Sequence, residues 1–174
     1  MTTVRTERLT LRPVQPEDGP FFEAFYADPE VSAIRKYGVL DAAAAREQVA
    51  IMLEHWATYG FGMWIVEENN DGATAGECGL RWVEDKSEIE LSYGLYPRFR
   101  GRGLATEAAR AALDYAVDVL ELTRIVAFSR GDNAKSHRVL EKLGMVLEWR
   151  KPIGTHGLVR YIFEVDNTPS LTKG

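Results

Sequence analysis

The chain has 174 residues, 45% of them hydrophobic, and a formal net charge of −5, which suits one water-soluble domain over residues 1–174 with a sizeable core. The acidic balance argues against general nucleic-acid binding, which needs a basic face. The single cysteine, Cys78, excludes an internal disulfide framework and a cysteine metal cluster.

Residues 5–12 predict a first strand, because Leu9 and Leu11 alternate with Arg8, Thr10 and Arg12. Pro13 ends it. Pro16-Glu17-Asp18 has the proline and acids of a first helical turn, and Phe21, Phe22 and Phe25 give that helix an apolar stripe suited to the core. Asp28-Pro29 breaks it, and a turn or short helix follows to Gly38, with Tyr37 as an exposed aromatic. Asp41 is placed to cap the next helix. Val49, Met52, Leu53 and Trp56 recur in it at helical spacing, and Gly60 supplies a left-handed stop.

Residues 63–67, 75–83 and 87–96 read as three antiparallel strands, with Asn69-Asn70-Asp71-Gly72 as the first hairpin turn. Cys78 lies in the middle strand between glycines and reads as a small buried residue. A helix is expected from Gly103 to about Leu120, with Leu104, Ala108, Ala112, Tyr115 and Val119 on one face. A strand at 124–129 follows, so the strand–helix–strand unit favours a parallel pair. Asn133 is placed to cap a helix that runs to Leu143 and closes at Gly144. Strands at 145–150 and 157–165 complete the chain, and the polar tail 167–174 is expected to fray. No N-terminal apolar leader and no run of about 18 apolar residues appear, so the expected location is the cytoplasm, without a membrane partner. His55, His137 and His156 lack metal-ligand spacing, and no metal is expected.

The stretch with the most chemistry runs from Tyr96 to Glu107. Gly101 and Gly103 free the backbone for a tight turn, and a helix N-terminus follows directly, with unpaired N–H groups and the positive end of its dipole. Such a turn can hold a phosphate, and Arg98, Arg100 and Arg102 add positive charge. A Gly-Lys-Ser/Thr ending is missing, which excludes a Walker A loop. Thr106 stands where a dinucleotide fingerprint needs its third glycine.

Arg98-Phe99-Arg100-Gly101-Arg102-Gly103, between a strand and a helix, resembles the pyrophosphate loop of the GNAT superfamily of N-acetyltransferases. The order of elements agrees with that fold, an α/β (α+β) mixed and mostly antiparallel sheet of about seven strands with a splayed parallel pair and helices on both faces. Within the superfamily the chain resembles the RimJ/RimL branch of ribosomal-protein N-terminal acetyltransferases. Thr6-Glu7-Arg8-Leu9-Thr10-Leu11-Arg12, Gly76-Glu77-Cys78-Gly79-Leu80, residues 100–108 and the run from Asn133 to Met145 carry this likeness, which spans about residues 5–165.

The resemblance implies acetyl-CoA as co-substrate. Its pyrophosphate would lie on the N–H groups from Arg100 to Thr106, through Gly101, Arg102, Gly103, Leu104 and Ala105, with Arg98 beside them. Its pantetheine arm would bond the strand around Leu95 and reach Asn133. Glu90 stands where many members carry a glutamate base, acting through water on the amine. Glu88 shares its face by alternation; were both close and shielded, mutual repulsion would raise one of the two pKa values, but Glu88 reads rather as a solvated strand carboxylate. Many members use a tyrosine acid seven residues after the helix-start asparagine, but this chain has Leu140 there. Ser136 takes the place near the sulfur in the RimJ/RimL-like branch. The acceptor would enter between residues 32–41 and 151–157, with Tyr37, Trp82, Tyr93 and Trp149 as possible lining residues. The acceptor reads as a protein or peptide N-terminal amine, with a small amine (polyamine, amino acid or drug) and a non-catalytic acetyl-CoA sensor as alternatives. A homodimer is compatible with such folds.

Overall fold

The computed structural model describes residues 1–35 and 38–165, so the expectations for Tyr37 and for the tail from 167 lie outside the described residues. The strand expected at 5–12 is two strands, β1 (Val4–Arg5) and β2 (Leu9–Pro13). They pair antiparallel around Thr6–Arg8. The turn is held from far away: the Glu107 carboxylate accepts from the Thr6 hydroxyl at 2.6 Å and from the Arg8 backbone N–H at 2.9 Å. Such a contact across about a hundred residues has no local signature.

A 3-10 turn at Pro16–Asp18 leads into α1 (Gly19–Ala27). Asp28 caps the short α2 (Pro29–Ser32) by accepting from the N–H groups of Glu30 and Val31. Asp41 caps α3 (Ala42–Tyr59) through the Ala44 N–H at 2.8 Å, and Gly60 ends it at φ 74°. Three antiparallel strands follow: β3 (Met63–Glu68), β4 (Thr74–Trp82) and β5 (Ile89–Leu95). Then come α4 (Leu104–Asp118), β6 (Arg124–Arg130), α5 (Ala134–Lys142), β7 (Val146–Lys151) and β8 (Leu158–Glu164).

The sheet therefore has eight strands, in the order β1-β2-β3-β4-β5-β6-β8-β7, because the opening segment supplies two. Its neighbours are antiparallel except β5 and β6. Both faces are covered. Trp64 and Val66 of β3 pack with α4 residues such as Leu104, Ala108 and Ala112, whereas Met63 and Ile65 pack with Phe22, Phe25, Val49 and Met52 of α1 and α3. This alternation is the period of a strand buried on both sides.

Small residues allow β3 and β4 to approach. A Cβ on Gly79 would lie 2.5 Å from the Gly62 carbonyl oxygen and the Met63 Cα, both backbone atoms. Cys78, its neighbour, is fully buried, and burial pushes its thiol pKa well up. It is a packed core residue, as its setting in the sequence suggests.

Candidate active site

The site is built around the place where β5 and β6 part. Their ladder holds at Glu90 opposite Val126, and this is the pairing recorded between the two strands. Parallel strands need a crossover, and here the crossover is α4. It begins just past the C-terminal end of β5, so its N-terminus faces the opening.

After Leu95 the chain makes a 3-10 turn at Pro97–Phe99, then passes through Gly101 at φ 74° and Gly103 at φ 77°. Both glycines hold the left-handed conformation that residues with a Cβ rarely adopt. The first backbone bond of α4 runs from the Glu107 N–H to the Gly103 carbonyl at 3.0 Å. The helix itself thus offers no carbonyl to the N–H groups of Leu104, Ala105 and Thr106.

The arginines of this turn are engaged with protein groups. Arg102 forms a two-pronged pair with Glu68, at 2.6 and 3.1 Å. Arg100 donates to the carbonyls of Leu95 and Glu30, at 3.0 and 3.2 Å. The Arg98 guanidinium lies over the rings of Tyr96 and Phe99. The anion-holding capacity of the turn therefore rests on its N–H groups and the helix dipole. Another cation, which the sequence reading did not single out, is Arg8. It pairs with Glu107 at 2.6 Å, bonds the Arg102 carbonyl at 2.8 Å, and lies 3.5 Å from where a Gly103 Cβ would be.

On the α5 side of the gap, the Asn133 side chain caps the helix by accepting from the Ser136 N–H at 3.2 Å. The Ser136 hydroxyl is 2.9 Å from the Tyr93 hydroxyl of β5. Tyr93 thus lies on the face of β5 toward α5. Burial pushes its hydroxyl pKa well up, so it is a neutral hydrogen-bonding group. Leu140 is in the core, at 1% exposure.

The opposite face of β5 carries Glu90, which pairs with Arg81 of β4 at 3.2 Å. Glu88 precedes the strand and does not act on Glu90 as alternation suggested. It bridges Arg124 at 3.0 Å and Arg160 at 2.7 Å, and these guanidiniums hold its carboxyl below the ordinary carboxylate range against the opposing effect of burial. The sequence could not anticipate this, because both arginines come from strands β6 and β8.

A second carboxylate on this face, and a buried one, was not singled out as a site residue. Glu77 of β4 is 1% exposed and stands opposite Gly94 of β5. It accepts from the Tyr26 hydroxyl at 2.7 Å and ion-pairs with Arg35. The two loops expected at the acceptor entrance are each bonded to the end of β6. Arg130 at the end of β6 donates to the Ala33 carbonyl and pairs with Asp132, which in turn lies 3.0 Å from His156. Trp82 packs near Tyr59 and Phe61 at the end of β4 away from Gly94, and Trp149 lies near Phe128. Among the described residues, no group of three or more His, Cys, Asp or Glu side chains could hold a metal ion. No helix among them is long and apolar enough to cross a membrane.

Residues 8–146 match the Acetyltransferase (GNAT) domain. The chain is 30% identical over 165 residues to the uncharacterized N-acetyltransferase p20 of Bacillus licheniformis, covering 88% of this chain and 90% of that protein. It is similar to the crystal structure of an acetyltransferase from Agrobacterium tumefaciens, with TM-score 0.84, 32% identity and 95% of each chain covered. It shares its fold, at TM-score 0.81 and 17% identity over 95% of this chain and 99% of that one, with RimL, a ribosomal L7/L12 alpha-N-protein acetyltransferase in complex with coenzyme A. The chain belongs to the GNAT acetyltransferase family. It is an acetyl-CoA-dependent N-acetyltransferase, with acetyl-CoA and an amine as the substrates that the family implies.

The Glu88 bridge gives a prediction about stability rather than chemistry. Glu88→Gln is expected to cost about 1 kcal/mol at neutral pH, since two partly exposed charge-assisted hydrogen bonds to guanidiniums are lost. Because the folded-state carboxyl pKa is depressed, the loss is full above the ordinary carboxylate pKa and shrinks as pH falls through the folded value. Denaturant unfolding of both proteins between pH 3 and 7, on the order of one point per half unit, measures it; a difference independent of pH would contradict the assignment.

Proposed function

We propose that the acceptor is the N-terminal amine of a protein or peptide, and that transfer occurs by direct attack in a ternary complex. The observation that carries the reading is the glycine turn and bare helix N-terminus at the open end of the β5/β6 pair, with Tyr93 and Ser136 bonded beside the gap. The N–H groups from Arg100 to Thr106, including those of Gly101 and Gly103, hold the pyrophosphate. The edge of β5 that β6 leaves unpaired near Leu95, together with Asn133, lines the pantetheine arm, which takes over the Leu95 carbonyl that Arg100 holds here.

Glu90, through a water molecule, takes the proton from the acceptor ammonium, since only the neutral amine has a lone pair to attack with. The nitrogen bonds to the thioester carbonyl carbon, the C–S bond breaks with its electron pair leaving on sulfur, and the second proton lost by the nitrogen passes through water to the departing thiolate. Ser136 donates a hydrogen bond to that sulfur. Tyr93 can donate to the Ser136 oxygen and so leave the serine proton directed at the leaving group. Support for a peptide acceptor comes from the likeness of the sequence motifs to the RimJ/RimL branch.

Three measurements test this reading. Coenzyme thiol release is followed with peptides beginning with Ser, Ala, Thr and Met, and with polyamines, free amino acids and an aminoglycoside. Release with a Ser- or Ala-initiated peptide, abolished by blocking its N-terminus, is expected; release with small amines alone would transfer the assignment to those. In the same assay Glu90→Gln is expected to lower kcat about 100-fold, and an unchanged kcat would remove it as the base. Gly101→Val is expected to weaken acetyl-CoA binding at least about tenfold, because a β-branched residue resists the left-handed turn. Calorimetric titration, with circular dichroism to verify folding, would show an unchanged affinity if the turn plays no part.

A further inference from the structure

We propose that Glu77 receives the cationic amine of the acceptor, and that Arg35 fills that position in the free protein as a built-in competitor. The inference rests on the acetyltransferase reading above and adds a subsite for a primary ammonium group.

Glu77 is an unusual residue for its place. It is nearly fully buried in the middle of the sheet, where a carboxylate is costly unless it is paired and hydrogen-bonded. Both conditions are met, by Arg35 on one oxygen and the Tyr26 hydroxyl on the other. Yet replacing a buried ion pair with apolar side chains is often neutral or stabilising, so stability alone is a weak reason for one.

The surroundings of the Arg35 guanidinium have the composition of a cation site. It lies 4.6 Å from the Tyr26 ring centroid and 5.6 Å from that of Phe25. Phe25 in turn meets Tyr96 edge-on, with centroids 4.9 Å apart. A carboxylate flanked by aromatic faces is the chemistry that holds an alkylammonium ion. Arg35 comes from the loop after α2, not from the sheet, so the cation is supplied by the segment at the acceptor entrance. It is also held beside a like charge: burial and the nearby Arg81 both depress its pKa. Exchanging this guanidinium for an incoming ammonium keeps the charge on Glu77 balanced.

Gly94 connects this position with the reaction site. It stands opposite Glu77 in register and follows Tyr93, in the half of β5 beyond the last pairing with β6. A Cβ at Gly94 would meet only the Phe25 ring, at 3.7 Å, and the Arg35 guanidinium, at 3.8 Å. With Arg35 displaced, no side chain of β5 itself separates the Glu77 carboxylate from the free part of that strand. Glu77 then holds the ammonium at entry, and the amine moves on to lose its proton to Glu90, which lies on the same face four residues before Gly94, about 13 Å along the strand.

The test compares the wild type with Arg35→Gln and Glu77→Gln. Propylamine, spermidine and a Ser-Ala-initiated peptide serve as probes, each with and without coenzyme A. Binding is read from the rise in Tm that each amine causes, and KM from thiol release where transfer occurs. Removing the competitor is expected to tighten amine binding several-fold in Arg35→Gln, with a larger rise in Tm and a lower KM. Glu77→Gln is expected to abolish the rise and increase KM at least tenfold. A purely structural ion pair would weaken both variants in the same direction. Arg35→Gln binding no amine more tightly than the wild type would overturn the proposal even if Glu77→Gln failed to fold, as would amine binding retained in a folded Glu77→Gln. Tight amine binding without any transfer would instead count against the acetyltransferase reading and leave this subsite intact. A response to the peptide but not to propylamine would assign the subsite to peptide N-termini, and the reverse to small amines.

Discussion

The arrangement depends on one strand pair that is parallel. Antiparallel neighbours can be joined by a hairpin, but β5 and β6 run the same way and must be joined by a crossover over one face. That requirement puts the N-terminus of α4 at the C-terminal end of β5. It also makes the start of α5, which follows β6, emerge at the same end. The ladder holds at Glu90 and Val126, so the backbone of the outer half of β5 stays available to something other than β6. The glycine turn, the capped start of α5 and the gap between the strands are therefore consequences of a single topological choice.

Charge is used locally at this end of the sheet. The chain is acidic overall, yet its arginines are concentrated on specific partners. Arg102 lies on Glu68, Arg8 on Glu107, and Arg124 and Arg160 on Glu88. Exposed pairs of this kind contribute little each to stability. Their effect is on position: Arg8 and Glu107 tie the opening hairpin to the first turn of α4, and Arg100 ties the turn after β5 to the segment after α2 through the Glu30 carbonyl. The two faces of β5 are then chemically distinct. One offers hydroxyls, from Tyr93 and Ser136, and the other offers carboxylates, from Glu77 and Glu90.

Much of the fold was legible because its signals are local. Asp41 and Asn133 cap the helices they precede, and Gly60 and Gly144 close helices in the left-handed conformation. Each of these acts through neighbours within about four residues. The glycine turn was legible for the same reason, since a left-handed backbone followed by a helix start is written in consecutive residues. What the sequence did not show has the opposite cause. The opening strand is split by Glu107, Glu88 is taken by Arg124 and Arg160, and Tyr93 turns to Ser136. In every case the deciding partner is far away in sequence.

The sequence by itself determined the order of elements, their caps and turns, the family likeness and the place of the phosphate turn, because helix capping, strand alternation and glycine torsions are properties of short stretches. Only the tertiary structure decided what surrounds each carboxylate. Glu77, Glu88 and Glu90 look alike along the chain, as acids in or beside strands. Packing buries one under Arg35 and Tyr26, fixes the second between two arginines, and leaves the third beside Arg81 at the parting of β5 and β6. A carboxylate's chemistry is set by the charges and solvent around it, and the sheet assembles those from strands that are distant in sequence.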